Sequence, residues 1–137
     1  MPADCIFCRI IAGQAPADIV FQDACCVGFL DARPLFPGHV LLAPRAHVVT
    51  LPELPAESLA PLFGAAQRLC RAVEQACAAQ GTFVAMNNRV SQSVPHLHVH
   101  IVPRSKGDGL KGFFWPRKGY RDDAERLETA RKIQAAL

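Results

Sequence analysis

The sequence lacks any long run of uncharged apolar residues. A bilayer-spanning helix needs about 20 consecutive, predominantly apolar residues, so the pattern excludes a membrane-spanning class and predicts no membrane partner. The stretch 1–5 holds an acidic side chain and no apolar segment of the signal-peptide type, so we expect a cytoplasmic protein. Internal repeats and low-complexity segments are absent as well, which leaves an ordinary globular chain.

Charge of either sign is modest. Fifteen Lys and Arg residues against twelve Asp and Glu give a net charge of +3, and the sequence has no long basic run or recognisable nucleic-acid-binding motif. This balance suits a small anionic ligand and predicts no nucleic-acid partner. Six cysteines without a secretion signal favour thiols or metal ligands over disulfides. A chain of 137 residues can bury one core, so we expect a single domain over 1–137.

Hydrophobic periodicity predicts an α+β fold. Residues 5–12 are expected to form a short helical turn, and strands are expected at 19–21, 26–30, 39–43, 82–86 and 96–102. Strands followed by a long helix and by strands again indicate an antiparallel sheet of about five strands.

Two helices complete the expected fold. The first runs from about Ala56 to Gln80, stops at Gly81, and carries a three- and four-residue apolar stripe that includes Cys70 and Cys77. We expect both cysteines to be buried. The second helix closes the chain from Asp122, with three apolar residues on its buried side: Leu127, Ala130 and Ile133.

The most informative pattern is three histidines at alternate positions, His96, His98 and His100, separated by aliphatic residues. Alternation is typical of a strand with one imidazole face and one core face. Neighbouring side chains on that face lie about 6–7 Å apart, which is too far for three rings to share one metal easily. We therefore interpret the row as several sites on one strand. Imidazole suits proton transfer and nucleophilic chemistry near neutral pH.

These histidines resemble the signature of the histidine triad (HIT) superfamily. Further segments match landmarks of that family in the same order along 5–104: Cys5–Cys8, Phe29–Asp31, Pro37–His47 and Asn87–Asn88. The resemblance implies a HIT-like fold, residues 105–137 adding a basic, aromatic loop and the last helix. It also implies a homodimer that hydrolyses or transfers nucleoside monophosphoryl groups, with purine nucleotides as ligands and no cofactor needed for the chemistry.

The resemblance assigns roles residue by residue. His98 matches the nucleophile, and His100 matches the residue that binds phosphate oxygens and assists the leaving group. His39 matches a supporting histidine on the neighbouring strand, and Ser93 a hydroxyl that donates to the leaving atom. The remaining matches are Asp31 for ribose, Asn87 and Gln92 for phosphate, and Ile6, Phe7, Ile10 and Phe29 for an apolar base pocket.

A second site is implied by Cys5-x-x-Cys8, which has the spacing of half a zinc site. In many family members of this form two histidines complete the site, here His47 and His96. The set Cys5, Cys8, His47 and His96 then predicts a structural zinc ion that does not touch substrate. The competing interpretation is a pair of free thiols beside a helical turn.

Four functions are compatible with these residues. The first is hydrolysis of nucleoside phosphoramidates or dinucleoside polyphosphates. The second is nucleotidyl transfer or phosphorolysis, although those branches usually carry Gln at the third triad position, where this chain has His100. The third is a nucleotide-binding sensor, and the fourth is a metallohydrolase. Three interpretations stay open for the basic, aromatic segment 104–121: it receives the distal phosphates of a substrate, it packs in a dimer interface, or it is a solvated loop.

Overall fold

The structure is a computed structural model and describes residues 2–111 and 117–137. Five antiparallel strands form one sheet: β1 Ile19–Gln22, β2 Cys26–Leu30, β3 Val40–Pro44, β4 Gly81–Ala85 and β5 Val99–Arg104. Their order across the sheet is β1-β2-β3-β5-β4, so the histidine-bearing strand β5 lies between β3 and β4. The predicted α+β class and the five-stranded sheet are confirmed.

The helices are α1 Ile6–Ile11, α2 Ala56–Ala76 and α3 Asp123–Ala136, with a 3-10 turn at Leu51–Glu53. Within the described ranges, none of the helices has the combination of length and apolar character needed to cross a membrane. The long helix α2 packs on one face of the sheet. Its buried stripe consists of Leu62, Ala65, Ala66, Leu69 and Val73, and it meets Val40, Leu42, Val99 and Ile101 from the strands.

The opposite face of the sheet carries a smaller apolar cluster. Phe29 pairs with Leu41, and Leu41 pairs with His100, so these three side chains share one face. Phe7 and Cys8 of α1 pack on this face beside Phe29. Because α2 covers the other face, this is the surface on which the polar side chains of a site can gather.

The predicted strand over 96–102 is wrong at its start: the hydrogen-bonded strand begins three residues later, at Val99, and His96 lies in a bend before it. Before that point Leu97 bonds through its N–H to the carbonyl of Val48 at 2.7 Å. Leu97, Val99 and Ile101 have no exposed surface, so the predicted aliphatic core face is confirmed. Because His96 and His98 lie on the other side, this one segment contributes side chains both to the core and to the site.

The predicted end of α2 is wrong by four residues. The helix ends at Ala76, and Ala78 adopts a φ of 49°, which turns the chain toward β4. Gly81 therefore begins β4 and does not stop the helix. Cys77 lies beyond the last turn and is exposed, and Cys70 is half-buried, so the prediction that both are buried is also wrong.

The predicted buried side of α3 is wrong as well. Leu127 and Ile133 are 47% and 59% exposed, and Ala130 is exposed too. The reason lies in the layers of the fold: α2 occupies one face of the sheet, and α1 and the site occupy the other. An amphipathic pattern shows that a helix has an apolar face, but it does not show that a surface is free to receive it.

Candidate active site

A cleft of about 670 Å³ opens on the site face of the sheet. It is bounded by α1, the end of β2 and the histidine segment. Eight of the residues predicted for catalysis or nucleotide binding line it together: Ile6, Phe7, Ile10, Phe29, Asp31, Ser93, His98 and His100. One end of the cleft is therefore apolar and aromatic, and the other end carries imidazoles and a hydroxyl.

His98 is held in one tautomer by the main chain. Its Nδ1 lies 2.7 Å from the carbonyl oxygen of His96, which can only accept, so Nδ1 carries the proton and donates. The other ring nitrogen, Nε2, is left with a lone pair. The side chain is 5% exposed and lines the cleft, so that lone pair is shielded by protein and available to a ligand. This is the state that a nucleophilic imidazole requires.

A chain of hydrogen bonds also fixes the tautomers of His39 and His100. The N–H of Leu35 donates to His39 Nδ1 at 3.1 Å, so the proton of His39 lies on Nε2. That Nε2 is 2.9 Å from Nδ1 of His100 and donates to it. His100 consequently carries its own proton on Nε2, where it can donate to a ligand oxygen in the cleft.

Burial keeps this histidine pair neutral. Desolvation lowers the pKa of His39, and it lowers the pKa of His100 to about 4, with His98 and His39 adding smaller effects in the same direction. A histidine in the unfolded chain titrates near 6.5. Between about pH 6.5 and about pH 4 the unfolded state therefore binds more protons than the folded state. The stability that the neutral, buried histidines contribute is complete above pH 6.5 and is lost as the pH falls through this window.

We predict that the His100 ring stays neutral until the pH approaches 4. The expected result is a single titration of the His100 ring resonances near that pH in an NMR experiment from pH 7.5 downward. Free imidazole in the same buffer is the control. Titration of His100 near 6.5 would contradict the buried, hydrogen-bonded arrangement.

Gly38 places His39 in this network. Its φ is +97°, and a Cβ at this position would collide with the sulfur of Cys77. Glycine is the residue that meets both conditions at low cost. His39 follows it and is 3% exposed, which explains why the Pro-Gly-His sequence matters to a site on the neighbouring strand.

We expect His39→Leu to lower kcat by about tenfold or more for any substrate that turns over in this cleft, because the buried His100 Nδ1 would lose its donor. His39→Gln is the matched variant, since its side-chain amide offers an N–H near the position of Nε2. Steady-state kinetics should show kcat recovering in His39→Gln and falling in His39→Leu, with little change in KM. Equal activity in all three proteins would contradict the positioning role.

Asp31 stands at the border between the cleft and a neighbouring cavity of about 300 Å³. Its Oδ1 accepts from the N–H of Arg33 at 2.9 Å, and its Oδ2 is 3.7 Å from Nδ1 of His39. The carboxylate is half-buried and faces both spaces. Its predicted contact with ribose stays a prediction that this position favours.

The two residues predicted to bind phosphate, Asn87 and Gln92, do not line the cleft itself. Asn87 lines the neighbouring cavity with His39 and His100, and its Nδ2 donates to the carbonyl of Ser91. Gln92 donates to the carbonyl of Val49 at 2.7 Å and accepts from the N–H of Arg89 at 2.8 Å. Gln92 is not among the residues that line the cleft, and both ends of its amide hold the loop in shape. Its predicted phosphate contact stays a prediction that these bonds do not favour.

The four predicted metal ligands come together beside the cleft. The sulfur of Cys8 is 3.3 Å from Nδ1 of His47 and 3.5 Å from Nδ1 of His96, and the sulfur of Cys5 is 3.5 Å from the same His96 nitrogen. Cys5, Cys8 and His96 are buried, and His47 is half-buried. We call these four residues the Cys2His2 cluster.

The geometry of this cluster fits a tetrahedral ion. Zinc bonds of about 2.3 Å to sulfur and about 2.0 Å to nitrogen separate those ligand atoms by about 3.5 Å. His96 Nε2 donates to the carbonyl of Pro44 at 2.8 Å, which leaves Nδ1 free to bind a cation. Burial raises the pKa of the Cys8 thiol to about 11, and the hydrogen bond with Cys5 and the charge of Cys5 add to this effect. A bound cation would act in the opposite direction and favour the thiolate.

The basic segment is only partly described. Phe113, Phe114 and Trp115 lie outside the described residues. Arg104 is engaged with Asp108, from Nε at 2.6 Å and Nη2 at 3.1 Å, and these bonds hold the pKa of the Asp108 carboxyl well below its usual range. Arg104 therefore shapes the turn after β5. The cleft lining does not include Lys106 or Lys111, whose predicted phosphate role stays a prediction.

Sequence reasoning missed part of the lining. Residues 16–18 and Arg33 also border the cleft. They come from loops without regular spacing, so no periodic pattern could have revealed them. The resemblance implies that a main-chain carbonyl fixes the tautomer of the nucleophilic histidine, but residue types do not show which main-chain groups act, and here they are the carbonyls of His96 and Pro44 and the N–H of Leu35.

Comparisons with known proteins identify the family and support the fold. The profile of the HIT domain matches residues 12–107. An uncharacterised HIT-like protein of Mycobacterium tuberculosis is 38% identical over 97% of this chain and 92% of its own length. The crystal structure of a HIT family protein from Bacillus subtilis superposes with a TM-score of 0.87 and 31% identity over 98% of this chain and 97% of that one. A zinc-bound histidine triad protein from Mycobacterium smegmatis is 35% identical, with a TM-score of 0.75 and 98% of both chains covered.

Some relatives carry names that state an activity. An adenosine 5′-monophosphoramidase of Schizosaccharomyces pombe is 34% identical over 82% of this chain and 83% of its own. An adenylylsulfatase of Arabidopsis thaliana is 32% identical, with 91% and 62% covered, and an asymmetrical bis(5′-nucleosyl)-tetraphosphatase of S. pombe is 30% identical, with 79% and 59% covered. With the profile match over most of its length, this chain belongs to the HIT domain family.

Proposed function

We propose that this protein hydrolyses nucleotides at the α-phosphorus through a covalent nucleotidyl-histidine on His98. The observation that carries the proposal is the hydrogen bond from His98 Nδ1 to the His96 carbonyl, which leaves Nε2 as a lone-pair nitrogen at the cleft. The apolar end of the cleft would hold the base, and Asp31 would bind the ribose hydroxyls. The α-phosphate would then lie among His98, His100 and Ser93.

In the first step the Nε2 lone pair of His98 forms a bond to phosphorus, and the bond from phosphorus to the leaving group breaks with its electrons. The leaving atom takes up a proton from solvent, and the Ser93 hydroxyl is the proposed hydrogen-bond donor to it. His100 donates its Nε2–H to a phosphate oxygen, where negative charge accumulates. In the second step water forms a bond to phosphorus and loses a proton to solvent, and the bond between phosphorus and Nε2 breaks with its electrons returning to the ring, which releases the nucleoside monophosphate and restores His98.

The substrate class proposed is a nucleoside phosphoramidate or a dinucleoside polyphosphate. The names of the relatives support cleavage at such bonds, and His100 in place of Gln supports hydrolysis over transfer. An apolar base pocket grips any purine by stacking and burial, so the proposal is made for purine nucleotides in general.

The experiment that tests the proposal is turnover of adenosine 5′-phosphoramidate and diadenosine tetraphosphate by the purified protein. The expected result is release of AMP, and the ratio of the two rates assigns the substrate class. Nucleotide binding without turnover would overturn the proposal in favour of a sensor. Transfer of the nucleotidyl group to phosphate, with no release to water, would overturn it in favour of a phosphorylase.

We also propose that two copies pair so that their sheets join into one larger sheet. The strands at the two ends of the sheet order are β1 and β4. The family resemblance implies a homodimer, and two sheets can join only through an end strand. Light scattering coupled to gel filtration is expected to give a molar mass of two 14.9 kDa chains. A monomeric mass at micromolar concentration would contradict the pairing.

A further inference from the structure

The short helix α1 belongs to two sites at once. It has six residues, and isolated helices shorter than about 12–15 residues are marginal in water. Cys5 caps it and Cys8 lies inside it, and the N–H of Cys8 donates to the sulfur of Cys5 at 3.4 Å. The helix therefore depends on tertiary anchors, and two of these are members of the Cys2His2 cluster.

The same helix forms a wall of the nucleotide cleft. Phe7 lies between the two cysteines in sequence, and the cleft lining includes it together with Ile6 and Ile10. The Phe7 ring meets the His98 ring edge-on at 5.0 Å and 90°, and it meets Phe29 at 5.2 Å. A shift of α1 would therefore move the base wall and remove the ring that packs against His98.

A second connection runs through His96. Its Nδ1 points at the two cysteine sulfurs, and its main-chain carbonyl accepts a hydrogen bond from His98 Nδ1–H. The side chain has no exposed surface, so its position is set by these contacts and by the bond to Pro44. Any contact that fixes the His96 ring therefore also restrains the main-chain carbonyl of His96. This is the carbonyl that selects the tautomer of His98.

We infer that zinc binding at the Cys2His2 cluster is coupled to nucleotide binding in the cleft, with Phe7 and the His96 carbonyl as the connecting groups. The inference rests on the proposed function for the identity of the ligand. With the four ligand atoms held by one ion, α1 and the His96 segment are fixed together. Without the ion, two thiols and two imidazoles no longer hold the helix at a set position, and the base wall loses its support.

Coupling of this kind is reciprocal: if zinc tightens nucleotide binding, nucleotide tightens zinc binding by the same factor. The first test measures the Kd of AMP for zinc-loaded and metal-free protein by calorimetry. We expect binding to weaken by about fivefold or more on removal of the ion, a factor at the lower end of typical site-to-site couplings. The same Kd in both forms would overturn the inference and leave the proposed hydrolase function intact.

The second test uses only the loaded protein, so it does not depend on the metal-free chain remaining folded. Zinc release to a chromogenic chelator is followed with and without saturating AMP. We expect AMP to slow the release by a similar factor. Equal release rates in the two samples would overturn the inference. If AMP binds neither form, the inference fails, whereas the proposed function is decided separately by turnover of adenosine 5′-phosphoramidate.

Phe7→Leu is the variant that separates coupling from simple stabilisation. It keeps all four ligands and an apolar side chain but removes the ring that touches His98 and Phe29. Because the Phe7 ring also packs beside His96, each protein serves as its own reference: we expect the ratio of zinc release rates with and without saturating AMP to move toward one in Phe7→Leu. If AMP slows zinc release from Phe7→Leu as strongly as from the unmodified protein, the Phe7 ring does not connect the two sites and that part of the inference is overturned.

Discussion

Replacing His98 with alanine is expected to lower kcat/KM by roughly a thousandfold or more on any substrate that the protein cleaves, because the attacking nitrogen is removed. No other described imidazole nitrogen combines a free lone pair with a position on the cleft: the tautomer of His100 puts a proton on its cleft-facing Nε2. Steady-state rates on adenosine 5′-phosphoramidate provide the measurement.

The matched control for this change is His98→Asn. The asparagine amide can donate to the His96 carbonyl as His98 Nδ1 does, so the main-chain bond is kept while the nucleophile is lost. Both variants should be inactive, and His98→Asn should retain the circular dichroism spectrum and AMP binding of the unmodified protein. Activity within tenfold in either variant would show that His98 is not the nucleophile.

The second large effect is expected from Cys8→Ser. Cys8 is 3% exposed and its sulfur approaches both cluster histidines, so its loss removes a central ligand. An ion that binds only the folded chain stabilises it by about 4 kcal/mol when present at a thousand times its Kd. We therefore expect one equivalent of zinc in the unmodified protein, none in Cys8→Ser or Cys5→Ser, and a fall in the free energy of unfolding of that order.

Cys25→Ser is the control for this experiment, since Cys25 is an exposed cysteine outside the cluster. It should keep its zinc and its stability. Metal analysis and urea unfolding measure the two quantities on the same samples. A stoichiometric ion in Cys8→Ser, or an unmodified protein that is equally stable without metal, would contradict the assignment.

Much of the site could be predicted because it rests on alternation along an extended segment. The period of two at 96–100 separates imidazoles from aliphatic side chains, and the structure keeps that separation with Leu97 and Val99 fully buried. The interpretation of the row as several sites also agrees with the structure. His96 points into the Cys2His2 cluster, and His98 and His100 face the cleft.

What could not be predicted depends on tertiary placement. The tautomer of His100 follows from the Leu35 N–H, a main-chain group in a loop with no periodic pattern. Gln92 has the residue type of a phosphate ligand, but its amide is used to hold the loop. The exposed face of α3 and the exposed Cys77 show the same limit, because periodicity describes a helix without showing what covers it.

The most direct test of the central claim is the stereochemical course of hydrolysis at phosphorus. A single isomer of an adenosine 5′-phosphoramidate with sulfur in place of one α-oxygen is hydrolysed in isotopically labelled water, and the configuration of the product is determined. Attack by His98 and then by water makes two in-line displacements, so the account predicts net retention. Net inversion would mean one direct attack by water, and it would contradict the covalent nucleotidyl-histidine.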